Sequence, residues 1–267
     1  MSARAVGVLL GHAWRLHRRP LVVMTPALML FQFLLTRLAP GPEDTARFTG
    51  LLALIPPQLR TMAGGDLALA STDGFLALGY AHPFFLLILA VWTVRLSSAS
   101  LAGEIGRGTM DLLGARPIAR ADLVIAGSCA IAIGLAVLTM AAWLGTAVGL
   151  TQRQLGVGPL PFLHIAITAW LLFMAWGSVG LVASALQRES GPAIAWTSGL
   201  IAASFVLEYL ARLWKTISVL RPWSLFAHYQ PPDIVRSGVS SQTIAVFGGV
   251  WLVAMAIALA VFSRRDL

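Results

Sequence analysis

Few side chains in this sequence have the type and spacing that chemistry needs. Five histidines, His12, His17, His82, His164 and His228, are too scattered to give the close ligand spacing of a zinc site, and no HExxH occurs. The single cysteine, Cys129, lies in an apolar run, so neither a disulfide nor a cysteine metal site can form within one chain. The run WGSVG at 176–180 sets a serine among glycines. A nucleophile elbow needs its glycines two positions to either side of the serine, so close helix packing by small residues is the simpler purpose. The one lysine, Lys215, has no glycine loop before it, and these residues hold no P-loop for nucleotide phosphates.

The remaining candidates are charged groups in apolar surroundings. Charged residues make up 11% of the chain, 58% is hydrophobic, and mean hydropathy is +0.81. A soluble domain carries roughly 25% charged residues. Because the apolar residues come in long blocks, the sequence reads as an all-α integral membrane protein forming a single domain over residues 1–267. Net charge is +8, but the basic residues flank apolar blocks and form no patch with interleaved aromatics. The charge therefore points to the lipid bilayer and its anionic headgroups, with no nucleic acid as partner.

Six blocks are long enough to cross roughly 30 Å of hydrocarbon as helices. They cover about 20–38, 80–101, 122–149, 162–186, 192–210 and 244–262. An isolated span must satisfy its own backbone polar groups, which makes all six helical. Before the first, Val6, Leu9, Leu10, Ala13, Trp14 and His17 recur at helical spacing among Arg4, Arg15, Arg18 and Arg19. That pattern predicts an amphipathic interfacial helix leading into the first span. Segments 39–79 and 211–243 are long enough for structure of their own. The first contains LLALIPP; the second mixes Trp214, Trp223 and Tyr229 with prolines, which suits a short interfacial or re-entrant element. The GTAVG pattern at 145–149 is a candidate dimer face.

With the amino terminus inside, ten basic residues fall on inner segments and eight on outer ones, and the inner segments are much shorter. Basic density then places both termini in the cytoplasm of a bacterial-type inner membrane. Within this frame Arg95 lies in the inner half of the second span, nine residues before Glu104. A buried charge there has two readings. Either Arg95 snorkels to the inner headgroups, or, with Ser97, Ser98 and Ser100 nearby, it serves a pathway or subunit interface. Glu208 poses the same question near the outer surface, where Arg212 at i+4 is its ordinary partner.

The stretch LAGEIGRGTMDLLGARPIAR, residues 101–120, is the most punctuated polar segment. Gly106 and Gly108 should stop the second helix, and Thr109 can cap a new one with Asp111 near its positive end. Met110, Leu112 and Leu113 give that short helix an apolar face. Gly114 can end it, and Pro117 can open the next. A mere connector needs 2–8 residues. The functional reading is a rigid knob offered to a cytoplasmic protein; the bland one is an interfacial hairpin without a partner.

The pattern Glu104-x-x-Arg107-Gly108-Thr109, then Asp111-Leu112-Leu113, then Arg116-Pro117-Ile118-x-Arg120, resembles the signature of type-2 ATP-binding-cassette export permeases. Pro231-Pro232-Asp233 before the last span, and the ending Phe262-Ser263-Arg264-Arg265-Asp266-Leu267, extend the likeness. Gly114-Ala115 departs from it, standing where the family usually has bulkier residues. The resemblance implies a permease subunit with no cofactor of its own, ATP and magnesium being held by a separate nucleotide-binding ATPase. It implies a second permease copy and a coupling helix within 102–120 that docks on the ATPase. Glu104, Arg107, Gly108, Thr109, Met110, Asp111, Leu113 and Pro117 would carry that role. A non-transporting anchor or regulatory subunit is the alternative. A membrane-embedded enzyme is disfavoured by the missing nucleophile, metal cluster and paired intramembrane acids.

Overall fold

The computed structural model describes residues 3–41, 71–109, 119–153 and 155–265. They form helices α1 (Ala3–Leu38), α2 (Thr72–Ala81), α3 (Pro83–Ser100), α4 (Ala102–Gly106), α5 (Arg120–Arg153), α6 (Leu160–Leu186), α7 (Ser190–Leu213), α8 (Pro231–Ser237) and α9 (Ser241–Ser263). Two 3₁₀ turns, Ser218–Trp223 and Leu225–His228, lie between α7 and α8. No strand occurs among the described residues. Six stretches are long and apolar enough to cross a membrane: His17–Leu38, Thr72–Ser100, Arg120–Arg153, Leu160–Leu186, Ser190–Leu213 and Ser241–Ser263. The expected all-helical, six-span fold is therefore present.

Three boundaries differ from the sequence reading. The amphipathic segment is not a separate helix, because α1 continues from Ala3 through Pro20 and Pro26. The loss of a proline N–H forfeits one backbone bond there without ending the helix. The second span starts at Thr72 instead of about 80, and Pro83 divides it into α2 and α3. Proline disfavours helical geometry in the residue before it, and His82 is extended at φ −64°, ψ 137°. Its Nδ1 accepts from the Phe84 N–H at 3.1 Å, so the break is capped. The third span is longer than expected at both ends.

α6 is the most buried span, and α3, α5, α7 and α9 pack around it, while α1 lies along α5. Small residues set the closest approaches. A Cβ at Gly134 would overlap the Trp92 indole, and one at Gly145 would overlap the Met29 carbonyl on α1. Gly149 meets Thr36 on the same helix. The GTAVG pattern is thus spent inside the chain, on the α1–α5 contact, rather than on a second copy.

Chain direction gives the bundle two ends. The elbow end holds residues 101–109, the start of α5, the α6–α7 connection and the end of α9. At the far end, the turns after α7 and the helix α8 pack on α7, α2 and α6 as ordered elements. There Tyr80 Oη and Thr146 Oγ1 are 2.8 Å apart, and Tyr229 Oη donates to the Tyr80 carbonyl at 3.1 Å. The Pro83 break frees that carbonyl, and Tyr229 satisfies it. Residues 42–70, which include LLALIPP, lie outside the described residues.

Candidate functional site

The elbow is built by one hydroxyl and one glycine. α3 stops at Ser100, earlier than Gly106 and Gly108 predict, and Leu101 leaves the helix at φ −122°, ψ −64°. Ser184 of α6 causes the break. Its Oγ accepts from the Ala102 N–H at 2.9 Å and donates to the Ser98 carbonyl at 3.2 Å. Those two groups would otherwise bond each other in the helix ladder, so the hydroxyl is wedged between turns. After the wedge, α4 runs for five residues and ends where Gly108 takes φ +68°. The Thr109 N–H donates to the Glu104 carbonyl at 3.1 Å and the Gly108 N–H to the Ile105 carbonyl at 3.0 Å. This pair of bonds is the Schellman helix stop, which favours glycine at the left-handed position.

Glu104 clamps the elbow from within. It is buried, and its carboxylate takes Arg107 Nη2 at 2.5 Å and Thr109 Oγ1 at 2.5 Å. Thr109 therefore turns back onto α4 with both its amide and its hydroxyl. A Cβ on Gly106 would lie 3.3 Å from the Arg188 carbonyl, so the elbow rests on the α6–α7 connection. Met110, Asp111, Leu113 and Pro117 lie outside the described residues.

Arginines tie the other helix ends to this region. Arg120 Nη1 donates to the Ser263 and Arg265 carbonyls at the end of α9. Arg265 Nη1 in turn donates to Ala185 and Gln187 carbonyls at 2.6 and 2.9 Å, closing the end of α6. Cations at helix carboxyl ends complete unpaired carbonyls and meet the negative end of the dipole. Burial, with Arg188 nearby, pulls Arg265 below its ordinary pKa. In the sequence Arg120 and Arg265 stand out as inner basic residues and as members of the family-like motifs, not as caps of distant helices, and Ser184 does not stand out at all.

A cavity of about 870 Å³ opens along α3 and α7. Pro83 and Phe226 line its far end, and Arg95, Arg107 and His17 its elbow end. Arg95 is exposed to this cavity, and among the described residues no carboxylate pairs with it. Ser98 also lines the cavity, with its hydroxyl donating to the Arg95 carbonyl at 3.1 Å. Glu208 lies elsewhere, in a smaller space of about 210 Å³ at the far end. It accepts from Arg212 Nε at 2.8 Å, from Arg221 at 3.1 Å and from Gln230 Nε2 at 3.1 Å. Arg212 was expected as its partner; Arg221 and Gln230 were not. Among the described residues no cluster of three or more metal-ligating side chains occurs.

Six apolar helices, a wedged elbow at one end and a cavity along two spans define a helical multi-pass membrane protein. A family model described as "ABC-2 family transporter protein" matches residues 27–267, and the chain belongs to that family. No curated protein matches it.

Proposed function

We propose that the chain is the transmembrane subunit of an ATP-driven exporter, working as one of two permease copies. A separate ATPase subunit, holding ATP and magnesium, docks at residues 102–120 from the cytoplasm, where both termini lie. Closure of the ATPase dimer moves the elbow, and alternating access of the cavity along α3 and α7 carries the substrate outward.

The observation that supports this reading best is the Ser184 wedge. It joins the elbow to α6 and, through Ser98, to α3. The Glu104 clamp and the Gly108 stop keep residues 102–109 together. A push on such a unit shifts two spans at once, whereas a push on a slack connector would be absorbed by it. Glu104 contributes by positioning Arg107 and Thr109, since its own carboxylate faces inward.

The test is co-purification with a co-expressed Walker-motif ATPase subunit from the same genome, followed by ATPase and transport assays in liposomes. Gly108→Pro is expected to keep the chain in the membrane, weaken the complex and uncouple hydrolysis from transport. Full binding and full coupling in that variant would refute docking at the elbow.

A further inference from the structure

We propose that the cavity along α3 and α7 selects an anionic amphiphile, its phosphate or carboxylate head at Arg95 and its apolar body between the two helices. The inference rests on the pathway reading above and adds the chemical class of what enters.

Three observations carry it. The walls from Pro83 to Arg95 are apolar, including Leu87, Val91 and Val94 facing Ile194 and Phe205. Those thirteen residues of α3 extend roughly 18 Å, enough for a long hydrocarbon body. The charge is confined to one end and has one sign. Among the described residues, Arg95, Arg107 and His17 are the ionisable groups that line it, and no carboxylate joins them. Glu104 takes up Arg107, which leaves Arg95 as the lining guanidinium with no anion among the described residues. Lastly, two of the three lining hydroxyls, all but Ser190, are already committed as donors. Ser98 donates to the Arg95 carbonyl and Ser198 to the Ile194 carbonyl at 2.7 Å. A polyhydroxylated head finds few free partners on such walls, whereas an anion finds a planar donor fork. A cationic amphiphile would set like charges together at membrane depth.

The chemistry fits either a resident anionic lipid or a single-chain amphiphile, and the experiment separates them. The full chain in phosphatidylcholine nanodiscs is titrated with dodecyl phosphate, dodecyltrimethylammonium and inorganic phosphate. Dodecyl phosphate is expected to bind at least tenfold tighter than either of the others. Arg95→Gln should weaken dodecyl phosphate by about ten- to hundredfold, the range of a lost charge-assisted contact, and should tighten the ammonium probe, which loses a like charge. Arg95→Lys should restore most of the preference. Ala90→Trp, which fills the cavity, should abolish binding of both chains. Replacing phosphatidylcholine by phosphatidylglycerol lowers the apparent affinity for dodecyl phosphate if a resident lipid supplies the head. No such competition assigns the site to single-chain amphiphiles.

Equal binding of the two dodecyl probes, or an Arg95→Gln variant that binds like the parent, overturns the proposal. So does inorganic phosphate binding as tightly as dodecyl phosphate. In these cases the pathway reading stands as long as Ala90→Trp still blocks transport by the assembled transporter. That reading fails by itself if Ala90→Trp transports normally.

Discussion

Glu104 and Glu208 are buried to nearly the same degree, 8% and 6% exposed, at opposite ends of the bundle. Their partners differ in kind. Glu104 is held by Arg107 and Thr109, three and five positions on, at and just past the end of its own short helix. Glu208 is held by Arg212, Arg221 and Gln230, which lie 4, 13 and 22 positions along the chain. A clamp made of neighbours needs little loop closure and moves as one body with its helix. A clamp reaching across 22 positions pins separate elements to each other. The elbow is thus internally stiff yet attached at a few points, while the far-end turns are fixed to α7.

Removing the two carboxylates is the strongest way to break this contrast. Glu208→Gln leaves Arg212, 25% exposed, and Arg221, 42% exposed, without an anion beside a buried acid; water offsets part of the loss, which should be about 2 kcal/mol. Arg107 is half exposed at 51%, so water can take over when Glu104→Gln removes its partner. That variant should cost about 1 kcal/mol. Thermal unfolding of the purified full chain reads both. Equal losses would mean that the two ends are held alike.

Ser184→Ala comes next. The alanine leaves the Ala102 N–H and the Ser98 carbonyl without the hydroxyl between them, an expected loss of about 2 kcal/mol. Its signature is functional as well as thermal. ATP hydrolysis should continue while coupled transport falls, because α6 no longer holds the elbow. A variant that loses stability but keeps full coupling would remove the wedge from the transmission path.

The spans were legible in the sequence because crossing a bilayer needs a long apolar run, and nothing else in the chain produces one. Gly106 and Gly108 do mark a helix stop, but the helix that ends there is α4; α3 itself stops earlier, at Ser100. That break comes from Ser184, 82 positions away from the amide it satisfies. A serine in an apolar helix carries no mark that distinguishes a wedge from small-residue packing. The arginine caps are hidden for the same reason, since Arg120 and Arg265 reach carbonyls that become neighbours only in the fold. Glu208–Arg212 follows a helical spacing and was visible; Arg221 and Gln230 follow none. Arg95 stood out in the sequence as a charge in a span, but the cavity that gives it a surface is made by α7.

Two smaller changes separate the elbow's backbone from its side chains. Gly108→Ala must place a Cβ residue at φ +68°, although among the described residues nothing beyond its chain neighbours lies within 4 Å of the new Cβ. The cost is then conformational alone, about 1 kcal/mol. It should appear as faster hydrogen exchange at the Gly108 and Thr109 amides with little change in global unfolding.

Thr109→Val should have the smallest effect, about 0.5–1 kcal/mol. Valine keeps the β-branch and the amide that donates to the Glu104 carbonyl, so the helix stop stays closed. Only the hydroxyl's bonds to the Glu104 carbonyl and carboxylate are lost. Amide protection at 108 and 109 should therefore persist, the reverse of Gly108→Ala. Thr109 and Arg107 share one carboxylate, so their losses should not add. In the double variant with Arg107→Gln, Glu104 has lost both side-chain partners and stays buried. The combined cost should exceed the sum of the two single costs, by a margin that unfolding measurements on the four proteins of the cycle give directly. Simple additivity would mean that the two partners hold α4 independently, and the elbow would then not be a single clamp.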